Sequence, residues 1–81
     1  MKIELTPTSK KQLNKLPKSD VRKIARKLLI LETTPYIGKK LEGKLRDYYA
    51  IRAWPYRIIY FINRNTTIQV VIIEHRQGVY K

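Results

Sequence analysis

Residues 46–80, RDYYAIRAWPYRIIYFINRNTTIQVVIIEHRQGVY, limit the possible folds more than any other stretch of the chain. Segments 46–53 and 56–62 are rich in Tyr, Ile and Phe, residue types that suit a pleated, half-buried surface. Only Trp54-Pro55 separates them, and Pro55, which has no N–H to donate to a central ladder, marks a turn or a strand start. A third segment, 68–73, reads IQVVII, the apolar run expected of a strand buried on both faces. Asn63-Arg64-Asn65-Thr66 supplies the hairpin loop before it. Three strands joined by tight connections form a sheet, and the rest of the chain has to cover it.

The first connection also fixes a register. If the two strands fold back around Trp54-Pro55, Ala53 lies opposite Tyr56 and Arg52 opposite Arg57. Opposed like charges are unfavourable by about the 0.2–1 kcal/mol that a favourable cross-strand pair contributes. Concentrated positive charge at that point fits a phosphate ligand, because guanidinium forks match its oxygens. The structural alternatives are that both side chains splay into water, or that Asp47 or Glu74 bridges them.

Upstream, residues 2–6 alternate apolar and polar side chains and read as a short strand ended by Pro7. Thr8 or Ser9 can cap a helix running to about Leu16, with Leu13 and Leu16 on its inner side. Pro17 breaks it, and Pro17, Ser19 and Asp20 signal a second helix that ends near Glu32. Val21, Ile24, Ala25, Leu28 and Leu31 form its core-facing stripe, with Leu29 beside them. The outer face is basic: Lys10, Lys11, Lys15, Lys18, Arg22, Lys23, Arg26 and Lys27 have almost no acidic counterpart. Arg22/Arg26 and Lys23/Lys27 are like-charged i,i+4 pairs that weaken an isolated helix. Residues 33–44 form a connection with Pro35, Gly38 and Gly43, and add Lys39, Lys40 and Lys44.

These pieces predict one α+β domain over residues 1–81, ordered β-α-α-β-β-β. An N-terminal strand and a two-helix hairpin pack on a small, mostly antiparallel four-stranded sheet, the first strand inserting beside the last. The other sheet face is expected to be partly open, with Ile59, Phe61 and Val70 on it, and able to dock a partner segment.

Charge narrows the partners. Eighteen Lys and Arg against six Asp and Glu give a net charge of +12 on 81 residues, which favours a polyanion. Lys10, Lys11, Lys15, Arg22, Arg26, Lys39, Lys40 and Lys44 are the candidate contacts to a nucleic acid. With no cysteine and a single histidine, His75, neither a disulfide framework nor a metal site is expected, and no cofactor is implied. No apolar run approaches the roughly 20 residues of a membrane span, and MKIELTPTSKK lacks the apolar core of a signal peptide. The expectation is a cytoplasmic protein.

Four stretches together, KQLNKLPKSDVRKI, GKKLEGKLRDYYAIR, PYRIIYFI and IIEHRQGVY, resemble the RelE/ParE toxin superfamily of toxin–antitoxin modules over nearly the whole chain. The resemblance implies a compact α+β toxin wrapped by a cognate antitoxin. RelE-like members cut mRNA in the ribosomal A site, whereas ParE-like members inhibit DNA gyrase. By position, Arg52 matches a basic residue of the family's YxIR-type strand and Arg57 the arginine of its GYR-type motif. Arg76 matches the basic residue of the last segment, with His75 beside it, and Tyr80 the tyrosine near the C-terminus. Their presence favours the RelE-like branch. Ala50 departs from the pattern: it stands where some members have a lysine credited with proton removal. Tyr80 also lies one residue from the end of the chain, where ends fray.

RNA cleavage at its own 2′-OH needs removal of that proton, stabilisation of charge on the phosphate, and protonation of the departing 5′ oxygen. Arg57, with Arg52 beside it, is the expected phosphate clamp. Arg76 can join the clamp or donate a proton. His75 is a candidate acid or base, although strict alternation from Ile73 points it away from Arg57. Tyr80 can stack on a base or pack over the sheet edge. Two other readings remain open: a gyrase inhibitor without nuclease residues, and a non-catalytic RNA-binding relative.

Overall fold

The structure, a computed structural model, describes residues 1–75. A short strand β1 (Lys2–Leu5) leads into two helices, α1 (Pro7–Asn14) and α2 (Lys18–Thr33). Strands β2 (Lys39–Lys40), β3 (Tyr49–Ala53), β4 (Tyr56–Asn63) and β5 (Thr67–His75) follow, with one turn of 3₁₀ helix at Gly43–Leu45. The sheet order is β1-β5-β4-β3-β2. β1 runs parallel to β5, as expected of a first strand inserted beside the last, and every other pairing is antiparallel. The sheet has five strands rather than four, because Lys39 and Lys40, read as connection, pair with Ala50 and Tyr49 at the edge.

α1 starts earlier than its sequence signals indicate. Thr6 is the cap, its hydroxyl accepting from the Ser9 N–H at 3.2 Å, and Pro7 takes the first helical position. Ser9, no longer needed as the cap, is fully buried and donates to the Val70 carbonyl at 2.8 Å. α2 begins after Pro17 with Asp20 in its first turn, where a carboxylate complements the helix dipole. Its inner face carries Ile24 and Leu31, both fully buried, flanked by half-buried Val21 and Leu28. Ala25, expected in that stripe, is exposed, since it sits about 100° around the helix from Ile24. Leu29 is exposed as well.

The core lies between the helices and one face of the sheet: Ile24, Leu31, Ala53, Tyr56, Ile58, Tyr60, Ile68, Val70 and Ile73. Tyr60 is fully buried, and its hydroxyl donates to the Pro35 carbonyl (2.9 Å) and accepts the Gly38 N–H (3.1 Å). A side chain at Gly38 would run into that hydroxyl, so this glycine is there for close approach. The β4–β5 hairpin closes through Arg64 and Asn65, both at positive φ (53° and 57°), the signature of a turn whose twist suits a hairpin.

One irregularity sets the faces of β5. Ile59 pairs with Ile72 but Tyr60 with Val70, leaving Val71 as the extra residue of a bulge. Before it, Ile68 and Val70 point to the helices; after it, Ile73 and His75 do, by their pairing with Ile58 and Tyr56. Val70 is therefore core, opposite Tyr60, and is not on the open face where it was expected. Ile59 and Phe61 do lie on that far face, Ile59 almost fully covered and Phe61 half-buried against Tyr48. Nor is 68–73 buried on both sides: Gln69, Val71 and Ile72 are half-exposed.

Candidate functional site

β3 and β4 meet in the register that their sequence dictates, with Ala53 opposite Tyr56 and Arg52 opposite Arg57. Both arginines project from the far face of the sheet, away from the helices. Arg52 is exposed, and it makes no ion pair or side-chain hydrogen bond with any described residue. Arg57 is half-buried and is held by Glu74 of β5, its register partner: Nε and one terminal nitrogen both donate to Oε2, at 3.1 and 2.8 Å. Of the structural alternatives posed by the sequence, bridging by Glu74 is the one realised for Arg57. Beside the pair, Ile37, Gly38, Lys39, Leu41, Ala50 and Ile51 line a cleft of about 410 Å³ that both arginines border. A phosphate entering it meets one free guanidinium and one that has to exchange a carboxylate for it.

The pair with Glu74 is weak enough for that exchange. Both side chains keep over a quarter of their surface in water, and ion pairs of that exposure contribute about 0–1 kcal/mol.

The remaining sequence candidates fall elsewhere. His75 is exposed at the end of β5 and points to the helix side, its ring edge-on to Tyr56 at 5.3 Å between centroids. It is thus on the opposite face from Arg57. Arg76 and Tyr80 lie outside the described residues. Lys10 and Lys11 are exposed on α1, Lys15 just beyond it, and Arg22 and Arg26 on α2. Lys39 and Lys40 form the edge strand β2, and Lys44 sits in the 3₁₀ turn; all three are exposed. The basic residues therefore do not converge on one point: Lys39 joins the arginine cleft, while the helical ones spread over the other layer. Ala50 lines the cleft without any group that can carry a proton.

Tyr56 and Asp20 tie the site to the helical layer. The Tyr56 hydroxyl donates to Asp20 Oδ2 at 2.7 Å, and this bond, with burial and the nearby carboxylate charge, raises the Tyr56 pKa above its ordinary value. The Tyr60 pKa is raised mainly by burial. Among the described residues no cluster of His, Cys, Asp and Glu could hold a metal ion. No helix among them is long and apolar enough to cross a membrane.

Trp54 is the side chain whose setting the sequence left unread. It sits in the β3–β4 turn, more than half exposed, and its carbonyl accepts from Lys23 Nζ at 3.5 Å. Tight turns need no indole, and an aromatic residue there without a turn role was the available signal.

Known proteins share this fold. The toxin–antitoxin complex RelBE2 from Mycobacterium tuberculosis has a chain that matches with a TM-score of 0.84 at 27% identity, over 93% of this chain and 96% of that one. The archaeal RelE–RelB complex from Pyrococcus horikoshii OT3 matches with a TM-score of 0.76 at 29% identity, over 93% of each chain. The intact Escherichia coli RelBE complex, at 19% identity and a TM-score of 0.77 over 91% of this chain and 94% of that one, shares the fold. Comparison with curated protein sequences finds no match. The family model for the ParE toxin of type II toxin–antitoxin system, parDE, matches residues 3–80, and with that match the chain belongs to the ParE toxin family, within the RelE/ParE superfamily of toxins.

Proposed function

We propose that this toxin cleaves mRNA on the ribosome, with Arg57 and Arg52 clamping the scissile phosphate. The observation that carries the reading is the opposed Arg52–Arg57 pair on the open sheet face, next to a cleft able to hold a phosphodiester. The 2′ oxygen of the RNA attacks phosphorus, a 2′,3′-cyclic phosphate forms, and the 5′ oxygen leaves and takes up a proton. The arginines stabilise the charge that grows on the non-bridging oxygens, often the largest single catalytic contribution. Ala50 in the cleft carries no proton acceptor and His75 lies on the helix side, so neither is placed to remove the 2′ proton; the carboxylate nearest the clamp is Glu74, which is engaged by Arg57. The toxin then depends on the ribosome to hold the mRNA in a reactive geometry. Little cutting of naked RNA is expected, and brisk cleavage by the pure protein would contradict the dependence.

The exposed helical and edge cations are the proposed contacts to ribosomal RNA. The antitoxins in the neighbouring complexes support a cognate antitoxin for this chain too, a cytoplasmic partner that holds the toxin inactive. An acidic antitoxin segment would associate fast with a surface of net charge +12.

Primer extension on an mRNA in a reconstituted translation mix tests the reading, with wild type and Arg57→Ala in parallel. Discrete cuts at A-site codons are expected for wild type, reduced about 100-fold or more by Arg57→Ala, since one lost donor to a developing oxyanion costs that much. Intact mRNA while the wild type still arrests growth and breaks DNA would mean gyrase inhibition instead. Intact mRNA without arrest would leave a non-catalytic RNA binder.

A further inference from the structure

On the helical side of the sheet, at the same end as the arginine pair but on the opposite face, a second basic feature stands apart from the cleft. Lys23, Arg26 and Lys27 of α2, with Ala53 and Trp54, enclose a hollow of about 190 Å³. Trp54 is 57% exposed although it is the largest apolar side chain in the protein. The three cations sit on one stretch of helix, and none forms an ion pair with a described residue. Lys23 and Lys27 are i,i+4 neighbours of like charge, an arrangement that costs the free helix stability. No carboxylate lines the hollow.

An exposed indole beside three cations matches a nucleotide: a flat base to stack and phosphates for the cations. An acidic peptide would use the cations but offer no flat face to the ring. We propose that Trp54, Lys23, Arg26 and Lys27 form a second RNA-binding site, which takes one unpaired base on the indole and its flanking phosphates on the three cations. The site is separate from the clamp and acts whether or not the clamp cuts RNA. With three phosphates neutralised, the log–log salt slope of binding is about −2.

Trp54 is the chain's sole tryptophan, so it reports its own occupancy. An oligouridylate of about eight nucleotides, within the span of a single-strand site, is titrated into the full-length protein and is expected to quench Trp54 fluorescence. The same quench is expected in Arg52→Ala/Arg57→Ala, and a quench about 10-fold or more weaker in affinity in Lys23→Ala/Lys27→Ala. By anisotropy of the labelled oligomer, Trp54→Ala should bind about 10- to 100-fold more weakly and Trp54→Phe within a few-fold of wild type; far-ultraviolet circular dichroism verifies that each variant is folded. An abasic oligomer of equal charge should bind without quenching. Three results overturn the proposal: no quench by RNA, a quench that disappears with the arginine pair, or polyglutamate quenching as strongly as RNA. The last would make the hollow a site for an acidic protein segment.

Discussion

Glu74 decides how ready Arg57 is for a ligand. Its carboxylate accepts two N–H groups from the guanidinium, so the clamp rests on an internal anion. Glu74→Gln keeps the shape but removes the charge. RNA affinity at the clamp is expected to rise by up to about 5-fold, the equivalent of the roughly 1 kcal/mol upper end for a partly exposed pair. Anisotropy in a Lys23→Ala/Lys27→Ala/Trp54→Ala background reads the clamp with the second site disabled, and unchanged or weaker binding would mean that Glu74 orients Arg57 for the ligand instead of competing with it. The Arg52–Arg57 opposition was legible in the sequence because a two-residue connection leaves one register, and Pro55 marked that connection. Glu74 was legible only as one of two possible bridges. Side-chain pairing depends on which face each strand presents, and the sequence of β5 hides that.

The hiding element is the bulge at Val71. Strict alternation from Val70 would turn Glu74 to the helices and His75 to the arginines; the extra residue reverses both. IQVVII contains no Gly or polar break to announce it, since every residue around the bulge is apolar. The signals lie in and just before α1 instead. Ser9 and Thr6 donate their hydroxyls to the carbonyls of Val70 and Val71, and Gln12 Oε1 accepts the Ile73 N–H at 2.8 Å. A helix only eight residues long thereby holds backbone groups of β5 around the bulge. Gln12→Leu leaves the Ile73 N–H unpaired and is expected to cost about 1–3 kcal/mol, read as a lower urea midpoint at unchanged m-value. Strand and helix existence, by contrast, followed from periodicity, and the two-residue strand β2 escaped because two lysines carry no periodicity at all.

For the molecule as a whole, stability responds to pH through the groups whose protons the fold holds more tightly. The tyrosines give the clearest sign. Tyr56 and Tyr60 both have pKa values raised in the folded state, so the fold holds their protons more tightly than the unfolded chain does. Their stabilisation is complete below the unfolded value near 10 and is lost as pH rises through the folded values. Tyr56→Phe removes the bond to Asp20 and is expected to cost about 1–2 kcal/mol at a pH of about 8. That deficit should shrink as pH rises past the folded pKa of Tyr56, where wild type loses the same contribution; thermal midpoints measured on either side of it give the difference. A deficit that stays constant would place the stabilisation in ring packing alone.

The pairing of β1 with β5 has a consequence in time. Lys2 lies beside Thr67 and Leu5 beside Val70, so β1 closes against β5 across the whole intervening chain, residues 3–66 lying between Lys2 and Thr67. A nascent chain has to hold β1 unpaired while both helices and three strands emerge, because non-local contacts form only after their loop closes. Arg57 has no Glu74 and no completed sheet behind it until that moment. The sheet, and with it the Arg57–Glu74 pair, is therefore completed only once β5 has been made.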